Sequence, residues 1–262
     1  MDDPKPRGCL IDIDGTIRAG AGAIPGAPEA IAALRRAGVP LRFVTNTTRM
    51  SRAALAQELA ALGFEIKREE CWTASSAAAA WLRGQGATRI ALYLPQAAHE
   101  EFSGLMLDAD NPEYVVVGDL GEAWSFERLN RAFLALHGGA KLVAIQRNPY
   151  WQSSKGLALD AGAFVAALEY ATGQTAHLIG KPSPEMFLAA AADLGLEPRQ
   201  LVMVGDDLEA DIGGALAAGL QAVAVRTGKL SGASLEDSSI QPTAILDSIA
   251  DLPRWLNLDH QR

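Results

Sequence analysis

Short apolar runs alternate with amphipathic stretches along most of this chain. Residues 9–11 are apolar and lead into Asp12-Ile13-Asp14-Gly15-Thr16. Ile31 and Leu34 then share one helical face, and Gly38 stands just past it as a stop signal. Residues 41–44 predict the next strand, 45–51 a turn, and Leu55, Leu59 and Leu62 another helical face before Gly63. Strand, turn and helix in repeated alternation imply a parallel sheet with helices on both faces.

The middle of the chain reads differently. Residues 90–94, 115–117 and 142–145 predict strands, and 126–136 and 161–170 predict helices, enough for an α/β unit of its own. The first pattern then resumes. Residues 178–180 read as a strand end, Ser183 as an N-cap and Pro184 as a first-turn proline, with Phe187, Ala191 and Leu194 facing inward. Residues 201–204 run into Gly205-Asp206-Asp207, a helix carries Ile212 and Leu216 up to Gly219, and 222–225 predict a further strand. The expected architecture is α/β: a discontinuous Rossmann-like parallel-sheet core, 1–84 and 178–262, interrupted by a smaller α/β domain over 85–177.

Composition narrows the partners more than it names one. The 262 residues are 49% hydrophobic and 21% charged, ordinary for a soluble chain of one large domain or two moderate ones. Lys and Arg total 23 against 31 Asp and Glu, a net of −8, which argues against nucleic acid or an anionic membrane as a partner. A bound cation can still make a small site receptive to an anion. No apolar run is long enough to span a bilayer, and the charged first residues do not resemble a signal peptide. Cys9 and Cys71 lack metal-ligand spacing and read as buried thiols in preference to a disulfide, so a cytoplasmic setting is expected. His99, His137, His177 and His260 lack such spacing too and read as surface or structural residues, and the tryptophans as packing.

Ligands of open parallel sheets bind beyond the carboxyl ends of the strands. Polar groups stand at four such places: Asp12 with Asp14, Thr45 with Asn46, Lys181, and Asp206 with Asp207 and Asp211. Taken singly, each has a plain structural reading, as turn chemistry, a helix cap or a solvated lysine. Should the acidic places converge, two unit charges about 4 Å apart would repel by roughly 4 kcal/mol at an effective dielectric near 20. A hard divalent cation with oxygen ligands removes that penalty, and Mg2+ keeps positions open for water and phosphate oxygens. Lys181 and the Asn46 amide then suit the remaining phosphate oxygens. A carboxylate nucleophile, a neighbouring acid/base, a metal and a lysine together point to phosphoryl transfer.

These segments, in this order, resemble the haloacid dehalogenase superfamily. Asp12-Ile13-Asp14-Gly15-Thr16 matches its first motif, and Phe43-Val44-Thr45-Asn46-Thr47 is similar to the second. Gly180-Lys181-Pro182-Ser183-Pro184-Glu185 resembles the third, and Val204-Gly205-Asp206-Asp207 with Asp211 the fourth. The insertion between the second and third motifs resembles the branch with a large α/β cap. Within it, Gly156-Leu157-Ala158-Leu159 and Ala167-Leu168-Glu169-Tyr170-Ala171 look similar to two groups. One is the phospholysine, phosphohistidine and pyrophosphate phosphatases; the other is the dehalogenase-like domain-containing hydrolases.

The resemblance implies roles. Asp12 attacks phosphorus, and Asp14 protonates the leaving oxygen and then activates water. Thr45, Asn46 and Lys181 bind the phosphoryl oxygens. Mg2+ is held by the Asp12 carboxylate, the Asp14 carbonyl and Asp206, with Asp207 and Asp211 acting around it. The substrate implied is a small phosphorylated metabolite, and similar proteins pair through the cap as homodimers. The polar, aromatic and basic stretch 147–155 reads as a loop that either idles in solvent or selects the leaving group through Asn148, Tyr150 and Trp151. Phosphomutase chemistry on the same core and a non-catalytic binding protein are the rival readings. Asp14 argues against the second rival and against carbon–halogen displacement, which does without that second acid.

Overall fold

The central strands of the sheet that carries the expected motifs are buried because that sheet is covered on both faces, while its edge strand 244–246 is partly exposed. The strands of this sheet are β1 (Gly8–Asp12), β2 (Leu41–Thr45), β3 (Cys71–Thr73), β4 (Leu201–Gly205), β5 (Gln221–Val225) and β6 (Ala244–Leu246). The computed structural model of the chain describes residues 5–153, 156–231 and 238–258. The sheet order is β6-β5-β4-β1-β2-β3. β1 is parallel to both β4 and β2, and β4–β5 and β5–β6 are parallel as well. Every position of β1 and β4 is buried, as a doubly covered parallel sheet requires.

Register aligns the strand ends. Ile11 lies opposite Val204 and Asp12 opposite Val44. Asp12, Thr45 and the Gly205-Asp206 step therefore leave the sheet at one level, on the edge where such folds bind ligands. The helix Ala27–Arg36 buries Ala27, Ala30, Ile31 and Leu34, and Pro184–Leu194 buries Met186, Phe187, Ala190 and Ala191. Ser183 does occupy the N-cap position of the second helix, but its hydroxyl donates to the Glu185 carboxylate and accepts no helix amide. Cys9 and Cys71 are buried thiols that are not joined in a disulfide, and burial pushes the Cys9 thiol up to about 12.

Contacts divide the chain into two compact units. Residues 1–45, 52–72 and 181–262 form the first; residues 46–51 and 73–180 form the second. The expected boundaries, 84/85 and 177/178, differ from these. The helix Ala74–Gly84 groups with the second unit, and so does His177–Leu178, a strand there and not part of the core sheet. The Ala-rich composition of 74–84 favours a helix, but composition carries no information on what that helix packs against.

The second unit holds a parallel sheet in the order His177–Leu178, Lys141–Ala144, Tyr114–Val117, Arg89–Tyr93, Met106–Leu107. Val115, Val117, Leu136, Leu142, Val165 and Leu168 belong to its core. Tyr93 stacks on Trp124 and Trp124 on Phe164, with ring centroids 5.4 and 4.7 Å apart. Stretch 147–155 is not simply a loop, because Tyr150–Ser153 pairs antiparallel with Gly156–Leu159 as a hairpin. The apolar residues there point outward, Leu157 being 72% and Leu159 63% exposed, which hides the strand from a search for buried alternation. Residues 154–155, the side chains of 151–153 and His260 lie outside the described residues. His99 contacts the Leu94 carbonyl at 3.2 Å, and His177 stacks on Trp81 with centroids 4.3 Å apart. No helix among the described residues is long and apolar enough to cross a membrane.

One ion pair in the first unit makes a stability prediction. Arg35 grips both oxygens of Glu70, at 2.6 and 2.5 Å, with side chains 24% and 15% exposed. Burial raises the Glu70 carboxyl, but the Arg35 guanidinium outweighs it and holds the group below its ordinary value. A carboxyl depressed on folding contributes stability above its unfolded value, about 4.3, and loses it as the pH falls through the folded one. Glu70→Gln is expected to cost about 1–3 kcal/mol at pH 7. Urea melts of the two proteins should converge towards pH 3, and a gap that persists there would reject the assignment.

Candidate active site

Asp12 ends β1 and is 5% exposed; Lys181, at 7%, faces it. The Lys181 ammonium donates to Asp12 Oδ1 and, at 2.7 Å, to Asp211 Oδ1. Thr16 Oγ1 reaches the other Asp12 oxygen at 3.4 Å. Asp206 leaves β4 at the same sheet edge. Asp12, Asp206 and Asp211 each offer a carboxylate oxygen, all within 4.8 Å of one another and all buried. Residues separated by up to 199 positions in the chain, Asp12 and Asp211, thus share one small volume.

Local backbone chemistry holds Asp211 there. Asp207 Oδ1 accepts the amides of Glu209 and Ala210 at 3.0 and 2.9 Å, which starts the following helix. That helix opens with a π-helical turn, Leu208–Gly213, in which the amides of Asp211 and Ile212 both reach the Asp207 carbonyl. The wider winding is the kind often found at functional sites. It returns Asp211 to the strand end, where its Oδ2 accepts the Asp207 amide at 3.1 Å. A Cβ at Gly205 would stand 2.3 Å from that Oδ2, so no larger residue fits.

Asp206 is enclosed in the same manner. Gly15 has φ +89 and Gly228 φ +60, and a Cβ at either would meet Asp206 Oδ2, at 2.2 and 2.0 Å. The Lys229 amide donates to that oxygen at 2.6 Å, and Lys229 Nζ pairs with Asp207 at 2.5 Å. Thr227 Oγ1 donates to the Gly15 carbonyl at 2.5 Å. Thr227, Gly228 and Lys229 are not among the residues expected from the sequence. A signal was available, since Thr227 and Lys229 are polar residues within four positions of the end of β5, the same criterion that selected the other four places.

Electrostatics sets a constraint on what completes the site. Burial pushes the Asp12 carboxyl well above its usual range; Lys181 opposes this, while Asp211 and Asp206 add to it. Burial also raises Asp206, with Asp211 contributing. Burial would lower Lys181, but Asp12 and Asp211 overcome that and hold it above the ordinary lysine value. For Asp207 the hydrogen bonds from Ala210 and Lys229 outweigh burial and leave the carboxyl below its usual value. Three buried carboxylates face one buried ammonium. An oxygen-only donor set with that excess of negative charge fits a hard divalent cation.

The remaining expected residues fall in different places. Thr45 is buried at the end of β2, one step past Val44, the register partner of Asp12. Asn46 belongs to the second unit, where its Oδ1 lies 2.7 Å from the point a Gly180 Cβ would occupy. Asp14 does not join the buried carboxylates. Its side chain is 62% exposed and accepts from Arg18 Nε at 2.7 Å. Asn148 and Tyr150 are exposed in the second unit, and the Asn148 amide donates to Gln146 at 2.6 Å.

The chain is similar to known proteins in sequence and in fold. A haloacid dehalogenase-like hydrolase model matches residues 9–107, and a HAD-hydrolase-like model matches residues 178–252. The chain is 39% identical over 251 residues to the human phospholysine phosphohistidine inorganic pyrophosphate phosphatase, covering 94% of this chain and 92% of the relative. It is 40% identical over 237 residues to the bovine haloacid dehalogenase-like hydrolase domain-containing protein 2, covering 90% of each. Among solved structures, the p-nitrophenyl phosphatase of Archaeoglobus fulgidus superposes with a TM-score of 0.87 at 27% identity, over 96% of this chain and 100% of that one.

Proposed function

This chain belongs to the haloacid dehalogenase-like hydrolase family, and from that membership we propose a phosphatase that hydrolyses a small phosphorylated metabolite through an aspartyl-phosphate on Asp12. One observation carries the reading: a buried carboxylate at a strand end, paired with a buried lysine, beside two further buried carboxylates.

Lys181 and Thr45 bind the phosphoryl oxygens, and Asn46, the next residue after Thr45, shares that role. The Lys181 charge also favours the ionised form of Asp12, the nucleophile, against the opposing effect of burial. An Asp12 oxygen attacks phosphorus, the bond to the leaving oxygen breaks, and Asp14 supplies the proton that oxygen needs. Asp14 then takes a proton from water as the water oxygen attacks phosphorus, which releases phosphate and frees Asp12. Mg2+ is the cation we assign. It would be held by the carboxylates of Asp12 and Asp206 and the Asp14 carbonyl, with Asp211 and Asp207 orienting the site. Once bound, it offsets the excess negative charge and favours charge developing on the phosphoryl oxygens. We assign choice of the leaving group to the second unit, with Asn148, Tyr150 and Trp151 as the residues to vary. The two buried thiols suit a reducing, cytoplasmic compartment.

The test is hydrolysis of 4-nitrophenyl phosphate by protein stripped with a chelator and then supplied with Mg2+. Turnover should vanish on stripping and return with the metal. Turnover indifferent to the chelator would reject the metal assignment. Run over a panel of phosphate esters, the same assay should show altered relative rates for Tyr150→Ala, and an unchanged profile would remove the hairpin from the specificity determinants.

A further inference from the structure

Asp14 is the one proposed proton carrier, and its carboxylate is held by a residue that the mechanism above does not use. Arg18 Nε donates to Asp14 Oδ1 at 2.7 Å, and among the described residues Oδ2 has no protein partner. A short exposed side chain with two free torsions would otherwise sample several staggered positions.

Arg18 is fixed at both ends. Its backbone starts the small hairpin in which Arg18 pairs with Ala23 and Ala19 with Gly22. The Arg18 amide donates to the Ile13 carbonyl at 3.1 Å, and its carbonyl accepts from Gly15 at 2.8 Å. At the far end Nη1 meets Glu58 Oε1 at 2.9 Å, on the helix Arg52–Ala61. The Arg18 side chain is 12% exposed, whereas its partners Asp14 and Glu58 are 62% and 48% exposed. A planar guanidinium presents its donors in a fixed fork. With one donor anchored on Glu58 and the backbone held by the hairpin, the direction of the Nε–H bond to Asp14 is set.

We propose that Arg18, braced by Glu58, is a positioning residue for Asp14. It occupies Oδ1 and leaves Oδ2 to exchange the proton. In the first half-reaction the proton on Oδ2 passes to the leaving oxygen as the P–O bond breaks, and the carboxylate keeps its Arg18 contact. The proposal rests on the phosphatase reading of Asp14. Its physical basis is that proton transfer needs the donor within hydrogen-bond reach of the leaving oxygen, and small misplacements are costly.

Two esters of nearly equal shape test it. Phenyl phosphate expels a basic phenolate that needs the proton, and 4-nitrophenyl phosphate expels a weakly basic one that needs it little. The ratio kcat/KM covers every step through transfer to Asp12, so it reports the leaving-group proton. Arg18→Ala should lower kcat/KM about 10–100-fold for phenyl phosphate and only a few-fold for the nitro ester. Glu58→Gln, a half-exposed change with little effect on folding, should shift the ratio in the same direction by less. In an Asp14→Asn background, Arg18→Ala should add no further selectivity. Equal losses on both esters, in variants with wild-type melting curves, would overturn the proposal while leaving the phosphatase reading standing. A wild type inert towards both esters with Mg2+ present would remove that reading, and the role of Arg18 with it.

Discussion

Asp12→Asn is expected to lose at least about 10,000-fold in turnover of 4-nitrophenyl phosphate while the protein still folds. The amide is nearly the shape of the carboxylate, so the β1 strand end keeps its packing. What disappears is the anionic oxygen that forms the bond to phosphorus. Stability should not suffer in the metal-free protein. The substitution removes one of three buried negative charges and leaves Lys181 paired with Asp211 at 2.7 Å. Steady-state rates with saturating Mg2+, together with melting curves, check both halves. Activity within tenfold of wild type would sink the assignment of the nucleophile.

Lys181→Met should have the largest effect on folding. Methionine follows the lysine stem but leaves Asp12, Asp206 and Asp211 without their buried counter-charge. Breaking a buried pair by removing one partner typically costs about 3–5 kcal/mol, because a desolvated charge is left behind. The pH dependence has a definite sign. Asp12 and Asp206 have carboxyls raised on folding, chiefly by burial. Such groups contribute stability that is present below the unfolded value, near 3.9, and is lost as the pH rises through the folded one. The deficit of Lys181→Met should therefore be widest near pH 7 in chelator and narrow towards pH 4. Added Mg2+ should narrow it at pH 7 as well, since the cation opposes the same repulsion. Wild-type stability of the variant at pH 7 without metal would show that the carboxylates are not balanced by this lysine.

The two predictions draw on residues that were legible in the sequence to different degrees. Asp12, Lys181 and Asp206 could be picked out because each follows an apolar strand, and a parallel sheet delivers such residues to one edge. Asp211 was expected to act around the site, and the π-helical turn brings it directly to Lys181. That turn has no periodic signature, because it depends on the Asp207 carbonyl receiving two amides. Thr227 and Lys229 are not among the residues expected from the sequence, although they follow β5 in the same way. The need for a glycine at 228 arises from Asp206, 22 residues away, and nothing local expresses it. The hairpin in the second unit was missed for a third reason, since its leucines face outward and the alternation rule assumes the reverse.

The order of elements, the parallel sheet and the polar groups at its strand ends were thus determined by the sequence itself. These features follow from periodicity and from apolar-to-polar transitions, which are written within a few residues of each other. The unit to which 73–84 belongs, the turning of Asp14 onto Arg18 and the enclosure of Asp206 by two glycines were decided by tertiary structure. Each of these depends on the distance between groups far apart in the chain, and that distance exists only after the helices have packed.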